Sequence, residues 1–137
     1  MYHKIIIAGY LGRDPEMRFT QDGTPVTNFS VATSRKYSRA DGEKVEETTW
    51  FRVTAWRKLA EVCNEYLQKG RPVLIEGRLN GDENGNPRVW EAKDGSHRAS
   101  FEITASTVKF LGGRSDSPQS TEEPPAAEEN EGGDILF

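Results

Sequence analysis

Hydrophobic and polar positions alternate most clearly in Thr49-Trp50-Phe51-Arg52-Val53-Thr54-Ala55-Trp56-Arg57. Side chains of a strand point alternately to its two faces, so Phe51, Val53 and Ala55 share one face, and Trp50, Arg52, Thr54 and Trp56 share the other. The first set suits a core. The second puts two of the chain's three tryptophans beside an arginine on the face expected to be polar. Further strands are predicted at residues 4–10, 26–37, 72–80 and 99–111, the last with Phe101, Ile103 and Ala105 on one side. The alternation slips between Val26 and Phe29, which predicts a bulge there. Over 58–69 the period changes: Leu59, Val62, Cys63, Tyr66 and Leu67 recur at helical spacing, with Gly70 as a C-terminal stop. Asp82-Glu83-Asn84-Gly85-Asn86-Pro87 is a turn-rich loop tip. Three strands, one helix and two strands make an all-β chain. A five-stranded barrel with one helix between strands 3 and 4 is the layout of an OB-fold.

The pattern of large apolar residues stops at Leu111. From Arg114 the chain is rich in Pro, Glu, Ser and Gly and cannot bury enough surface to offset its ordering entropy. The expected organisation is a folded domain over 1–113, a disordered acidic linker over 114–133, and a short tip, Asp134-Ile135-Leu136-Phe137, whose apolar residues have no core to enter. This division changes the meaning of the charge. The net charge is −4, but residues 1–113 balance at +2 and residues 114–137 at −6. The acidity belongs to the tail, and a mildly basic domain is compatible with a phosphate-bearing partner.

No apolar run approaches the ~20 residues of a membrane span. The short apolar segment after Lys4 reads as a strand rather than a signal peptide. The single cysteine, Cys63, fits a reducing cytosol, and on the helix's apolar face it reads as a small core hydrophobe rather than a reactive thiol.

Catalytic chemistry finds little support. His3 and His97 lack partners at metal-ligand spacing, one cysteine cannot build a zinc site, and no cofactor is implied. Gly9-Tyr10-Leu11-Gly12 lacks the Lys-Ser or Lys-Thr of a phosphate-binding loop and reads as a turn at a barrel corner. Glu46-Glu47 sits among other charges and reads as solvated. The chain is not expected to be an enzyme.

Aromatics interleaved with cations do suggest a function. Trp50 and Trp56 lie roughly 20 Å apart along one strand, so they would serve separate bases. Arg52 lies between them, and Arg57 and Lys58 follow Trp56. Tyr37 follows Arg35-Lys36, and Trp90 follows Arg88 in a hairpin. Each base stacked on such a ring contributes ~1–3 kcal/mol whatever its identity. A sugar-binding face would favour Asn, Asp and Gln beside the rings over this many cations.

Six segments in order then resemble the bacterial single-stranded-DNA-binding protein family, across residues 4–113: Gly9-Tyr10-Leu11-Gly12-Arg13-Asp14-Pro15-Glu16 with Arg18-Phe19, Asn28-Phe29-Ser30-Val31-Ala32-Thr33, Trp50-Phe51-Arg52-Val53, Lys58-Leu59-Ala60-Glu61-Val62, Tyr66-Leu67-Gln68-Lys69-Gly70 and Ile75-Glu76-Gly77-Arg78-Leu79. The resemblance implies an OB-fold that assembles as a homotetramer. It implies sequence-independent binding and protection of single-stranded DNA in replication, recombination and repair, in the cytoplasm and on the nucleoid. By position its stacking aromatics fall on Tyr37, Trp50, Trp56 and Trp90, with Tyr37 where the family often has Trp and Trp56 where it often has Phe. Its basic contacts fall on Lys4, Arg52, Lys58 and Lys69; sequence proximity adds Arg35, Lys36, Arg57, Arg78 and Arg88. The family's acidic tip docks replication and repair proteins. Here Asp134, Ile135, Leu136 and Phe137 would serve, with Leu136 where Pro is usual. The alternative is an OB-fold subunit for RNA or for primosome assembly, although no reader of the 2′-hydroxyl is identifiable.

Overall fold

The computed structural model describes residues 1–112 and the dipeptide Ala127–Glu128. The predicted acidic linker and the tip residues Asp134 to Phe137 otherwise lie outside the described residues, as does Gly113 at the predicted domain boundary.

The elements run β1 (Ile5–Leu11), β2 (Glu16–Phe19), β3 (Pro25–Ser38), β4 (Lys44–Trp56), α1 (Arg57–Tyr66), β5 (Pro72–Leu79), β6 (Val89–Glu91), β7 (His97–Ala99), β8 (Phe101–Phe110) and β9 (Ala127–Glu128). The strand order is β1-β5-β8-β4-β3-β2, and an additional β1–β3 pairing closes β1, β5, β8, β4 and β3 into a barrel. These five are the strands the periodicity predicts, and the single helix lies between the third and fourth of them. β6 and β7 form a separate two-stranded hairpin, and β9 pairs with Thr107 and Val108 of β8.

Closure depends on Gly9. β1 pairs with β5 as far as Tyr10↔Pro72, and at Tyr10 and Leu11 it also pairs with Ala32 and Val31 of β3. A Cβ on Gly9 would lie 2.1 Å from the Ala32 carbonyl oxygen. Only a residue without a side chain allows the strands to cross that closely, which is the corner expected at this glycine.

The core fills the barrel with Phe29, Val31, Val53, Val73, Ile75, Ile103 and Val108, and α1 adds Leu59, Val62 and Cys63. Cys63 is fully buried, and burial pushes its thiol up to about 12. It behaves as a core residue, as its place on the apolar face implies.

Two local expectations need correction. First, β3 has no bulge near Val26: its pairing with β4 runs without a break from Val26↔Trp56 to Ser38↔Lys44. Thr27, Phe29 and Val31 all point inward. The slip arises because the inward residue at 27 is polar, and its hydroxyl donates to the Ala60 carbonyl at 2.7 Å. Val26 is buried on the opposite side, where Arg18 and Trp56 are its cross-strand partners. The register shift lies between Glu76 and Gly77 of β5 against β8. Second, α1 ends at Tyr66, not Lys69. Leu67 turns extended while its N–H makes the last helical bond to Cys63. The loop is then tied to the end of β1: Gly70 donates to the Leu11 carbonyl, and the Lys69 amide donates to Asp14 at 2.8 Å. Phe101 shares a side with Ile103 and Ala105, as alternation predicts. It is 59% exposed although they are buried, because β8 begins where the barrel interior ends.

Candidate nucleic-acid interface

Alternation along β4 produces the face that periodicity predicts. Val53 and Ala55 are fully buried, Phe51 is half-buried against the core, and Trp50, Arg52, Thr54 and Trp56 point outward. Trp50 is 53% exposed. The six-membered part of its ring rests on Gly12: a Cβ there would come within 2.5 Å of Cζ3 and 2.7 Å of Cη2. Gly12 is itself fixed by the hydrogen bond that its N–H donates to the Ser30 carbonyl. The indole is thus supported on one side by backbone.

Trp56 is half-buried where β4 meets α1. It occupies the N-cap position without a side-chain cap, and the first turn holds no acidic residue. That end of α1 keeps its unsatisfied N–H groups and positive dipole end, with Arg57 and the exposed Lys58 on it. Arg57 has φ +59°, the only positive φ at a non-glycine among the described residues. An Arg at this position carries no turn signal, so its strained backbone is not legible in the residues. Arg52, exposed between the two tryptophans, makes no side-chain hydrogen bond or ion pair among the described residues. Thr54 between Arg52 and Trp56 donates to Asn28 at 2.8 Å, which stiffens the β3–β4 pair beneath.

Tyr37 stands on the part of the β3–β4 ribbon that extends past the barrel. Pleat alternation puts it with Arg35 and Glu47, on the side opposite Trp50. Its hydroxyl donates to Glu47 Oε1 at 3.1 Å, Arg35 Nε donates to Glu47 Oε2 at 3.0 Å, and the Arg35 guanidinium lies 4.8 Å above the Tyr37 ring. The Arg35 hydrogen bond, then that from Tyr37, holds the Glu47 carboxyl below its ordinary value. Glu47 reads as a solvated charge in the sequence; in the fold it organises an arginine and an aromatic. Lys36, its side chain unengaged among the described residues, points to the Trp50 side of the ribbon.

Trp90, 45% exposed, sits in the middle of β6 opposite Arg98 of β7. Arg88 is 3.6 Å from Glu102 on β8, which links the hairpin to the barrel. The remaining predicted cations lie elsewhere. Lys4 is paired with Glu76 at 3.5 Å, and Arg78 is exposed on the same outer wall formed by β1 and β5. Lys69 is exposed in the loop after α1. The fold therefore gathers Trp50, Arg52, Trp56, Arg57 and Lys58 along one line, places Tyr37 and Trp90 on two projecting arms, and leaves Lys4 and Arg78 on another wall.

The profile of the single-strand binding protein family matches residues 2–111. A single-stranded DNA-binding protein of Neisseria meningitidis serogroup A is 44% identical over 115 residues, 84% of this chain and 63% of that protein. Single-stranded DNA-binding protein 1 of Chlorobaculum tepidum is 41% identical over 113 residues, 82% of this chain and 66% of that protein. The chain thus spans a little under two thirds of the length of these curated relatives. Among solved structures, a Plasmodium falciparum single-strand binding protein in complex with single-stranded DNA superposes with a TM-score of 0.67 at 26% identity, covering 81% of this chain and 96% of that one. A small single-stranded DNA-binding protein from Streptomyces coelicolor superposes with a TM-score of 0.64 at 27% identity, covering 79% of this chain and 93% of that one.

Proposed function

This chain belongs to the single-strand binding protein family, and we propose that it binds single-stranded DNA without sequence preference and protects it during replication, recombination and repair. The observation that carries this reading is Arg52, exposed and unengaged among the described residues, between two outward tryptophans on one strand. Bases stack on Trp50 and Trp56 while the backbone passes over Arg52 toward Arg57, Lys58 and the uncapped start of α1. Stacking reads no base edge, so the affinity is sequence-tolerant. Tyr37 and Trp90 extend the path onto the two arms, with Arg35, Lys36 and Arg88 beside them. Lys4, Lys69 and Arg78 supply outlying phosphate contacts to a strand that wraps further round the barrel. Binding and release involve no bond making or breaking.

Two further parts of the proposal rest on the sequence. Asp134, Ile135, Leu136 and Phe137 form a tip that recruits replication and repair proteins, tethered by the acidic 114–133 segment, and the domain assembles as a homotetramer. Anisotropy of labelled oligo-dT, its duplex form and matched oligo-U tests the nucleic-acid reading. Tight binding of oligo-dT with weak binding of the duplex is expected. Preference for the RNA would favour an RNA-binding subunit, and equal affinity for the duplex would reject a single-strand surface.

A further inference from the structure

Phe101 is an exposed aromatic that the path above does not use. It opens β8 and has 59% of its surface exposed, on the same open groove as the exposed Trp50. It is not loose. Its parallel partner on β4 is Phe51, their ring centroids are 5.7 Å apart at 40°, and Phe51 is in turn packed against the core. Phe101 therefore presents a ring braced on one side by Phe51, which lowers the side-chain entropy lost on binding.

Beside it runs an open groove of about 410 Å³, lined by Ser30, Thr48, Trp50, Phe51, Arg52 and Phe101 among others. That volume lies within the roughly 300–1,000 Å³ typical of small-ligand sites. We propose that Phe101 is an additional base-stacking residue that seats a nucleobase in this groove, next to the base on Trp50 and with Arg52 on the adjoining phosphate. This inference rests on the single-stranded DNA reading and deepens it. The charge arrangement favours a nucleotide over an apolar partner. Glu102, the β8 neighbour of Arg52, is held by Arg88 at 3.6 Å, and Arg52 remains available for an anion. The groove mixes four hydroxyl residues, Ser30, Thr48, Thr49 and Ser100, and a guanidinium with its rings, a lining suited to a base with its sugar-phosphate.

The test compares Phe101→Ala, Phe101→Leu and Phe101→Tyr in the full chain, with Trp50→Ala as a reference, by oligo-dT affinity, salt dependence and sedimentation. Phe101→Ala should lose about five- to a hundredfold, the range that ~1–3 kcal/mol per stacked base gives at ~1.4 kcal/mol per tenfold. Phe101→Leu should lose nearly as much, Phe101→Tyr should bind like the parent, and the salt slope should not change. Ultraviolet crosslinking of bromodeoxyuridine-substituted oligonucleotide should map to Phe101. Loss of binding in Trp50→Ala with none in Phe101→Ala would overturn this inference and leave the single-stranded DNA reading standing. A parent protein that fails to bind oligo-dT would remove that reading itself. An altered sedimentation coefficient in Phe101→Ala, with no crosslink at Phe101, would assign the ring to a contact between copies and overturn the proposal.

Discussion

The hydroxyl of Tyr37 donates to Glu47 across the β3–β4 ribbon at 3.1 Å, and the same carboxylate holds Arg35 over the Tyr37 ring. An anion thus sits on one arm of a surface proposed to receive a polyanion. It keeps the aromatic and the cation in place before the strand arrives, and it competes with phosphate for Arg35.

Glu47→Gln should therefore raise oligo-dT affinity a few-fold and steepen its salt dependence, because Arg35 becomes available to phosphate. Isothermal titration at several salt concentrations checks this. The Glu47 carboxyl should titrate below its ordinary value of 4.5, and in Arg35→Ala its midpoint should move back up, since the Arg35 hydrogen bond is the largest cause of the depression. A carboxyl depressed in the fold stabilises above its unfolded value, and that contribution is lost as pH falls through the folded one. The cluster should stay intact from neutral pH down to about 5, and carboxyl-carbon NMR titration reads it directly.

Gly12→Ala should displace the Trp50 ring, since the new methyl would overlap it at 2.5 Å. The ring is the far end of a side chain over solvent, so it can move at small cost in stability. The expected outcome is shifted tryptophan emission and weaker oligo-dT binding, with a melting temperature close to the parent's.

Arg57→Gly should stabilise the fold. Arg57 holds φ +59°, and a non-glycine residue there costs ~1–2 kcal/mol that glycine does not pay. A gain of roughly 1 kcal/mol, or a few degrees in melting temperature, is expected by calorimetry. The same variant should bind oligo-dT more weakly, with a smaller salt slope, because a cation beside Trp56 is lost.

Cys63 should resist alkylation in the native protein at pH 8, because burial lifts its thiol from 9.0 to about 12. A group whose folded pKa is raised supports the fold fully below the unfolded value, and that support declines as pH rises above it. Stability should fall between about pH 9 and 12 more steeply in the parent than in Cys63→Ala, which denaturant titrations at each pH would show.

Much of the barrel can be read from the sequence, because strand periodicity is a local signal. Val53 and Ala55 face the core, and Trp50 and Arg52 face out, as alternation requires. Where the reading fails, the cause is non-local. Thr27 looks like a break in the pattern until Ala60, 33 residues later, supplies its hydrogen-bond acceptor. Phe101 has the correct parity for the core, but parity does not say where the barrel ends. The four aromatic candidates and Arg52 could be picked out because large rings beside cations are rare on a polar face. Their supports, Gly12 under Trp50 and Glu47 beside Tyr37, depend on strand pairing, which the residues themselves do not announce.

The proposed stacking of bases on Trp50 and Trp56 is open to direct observation. Oligo-dT added to the protein at low salt should quench tryptophan emission to a saturating endpoint. Raising the salt should weaken the affinity along a straight line of log K against log salt, with a slope of roughly −0.7 per phosphate neutralised. Emission unchanged by excess oligo-dT at low salt would contradict it.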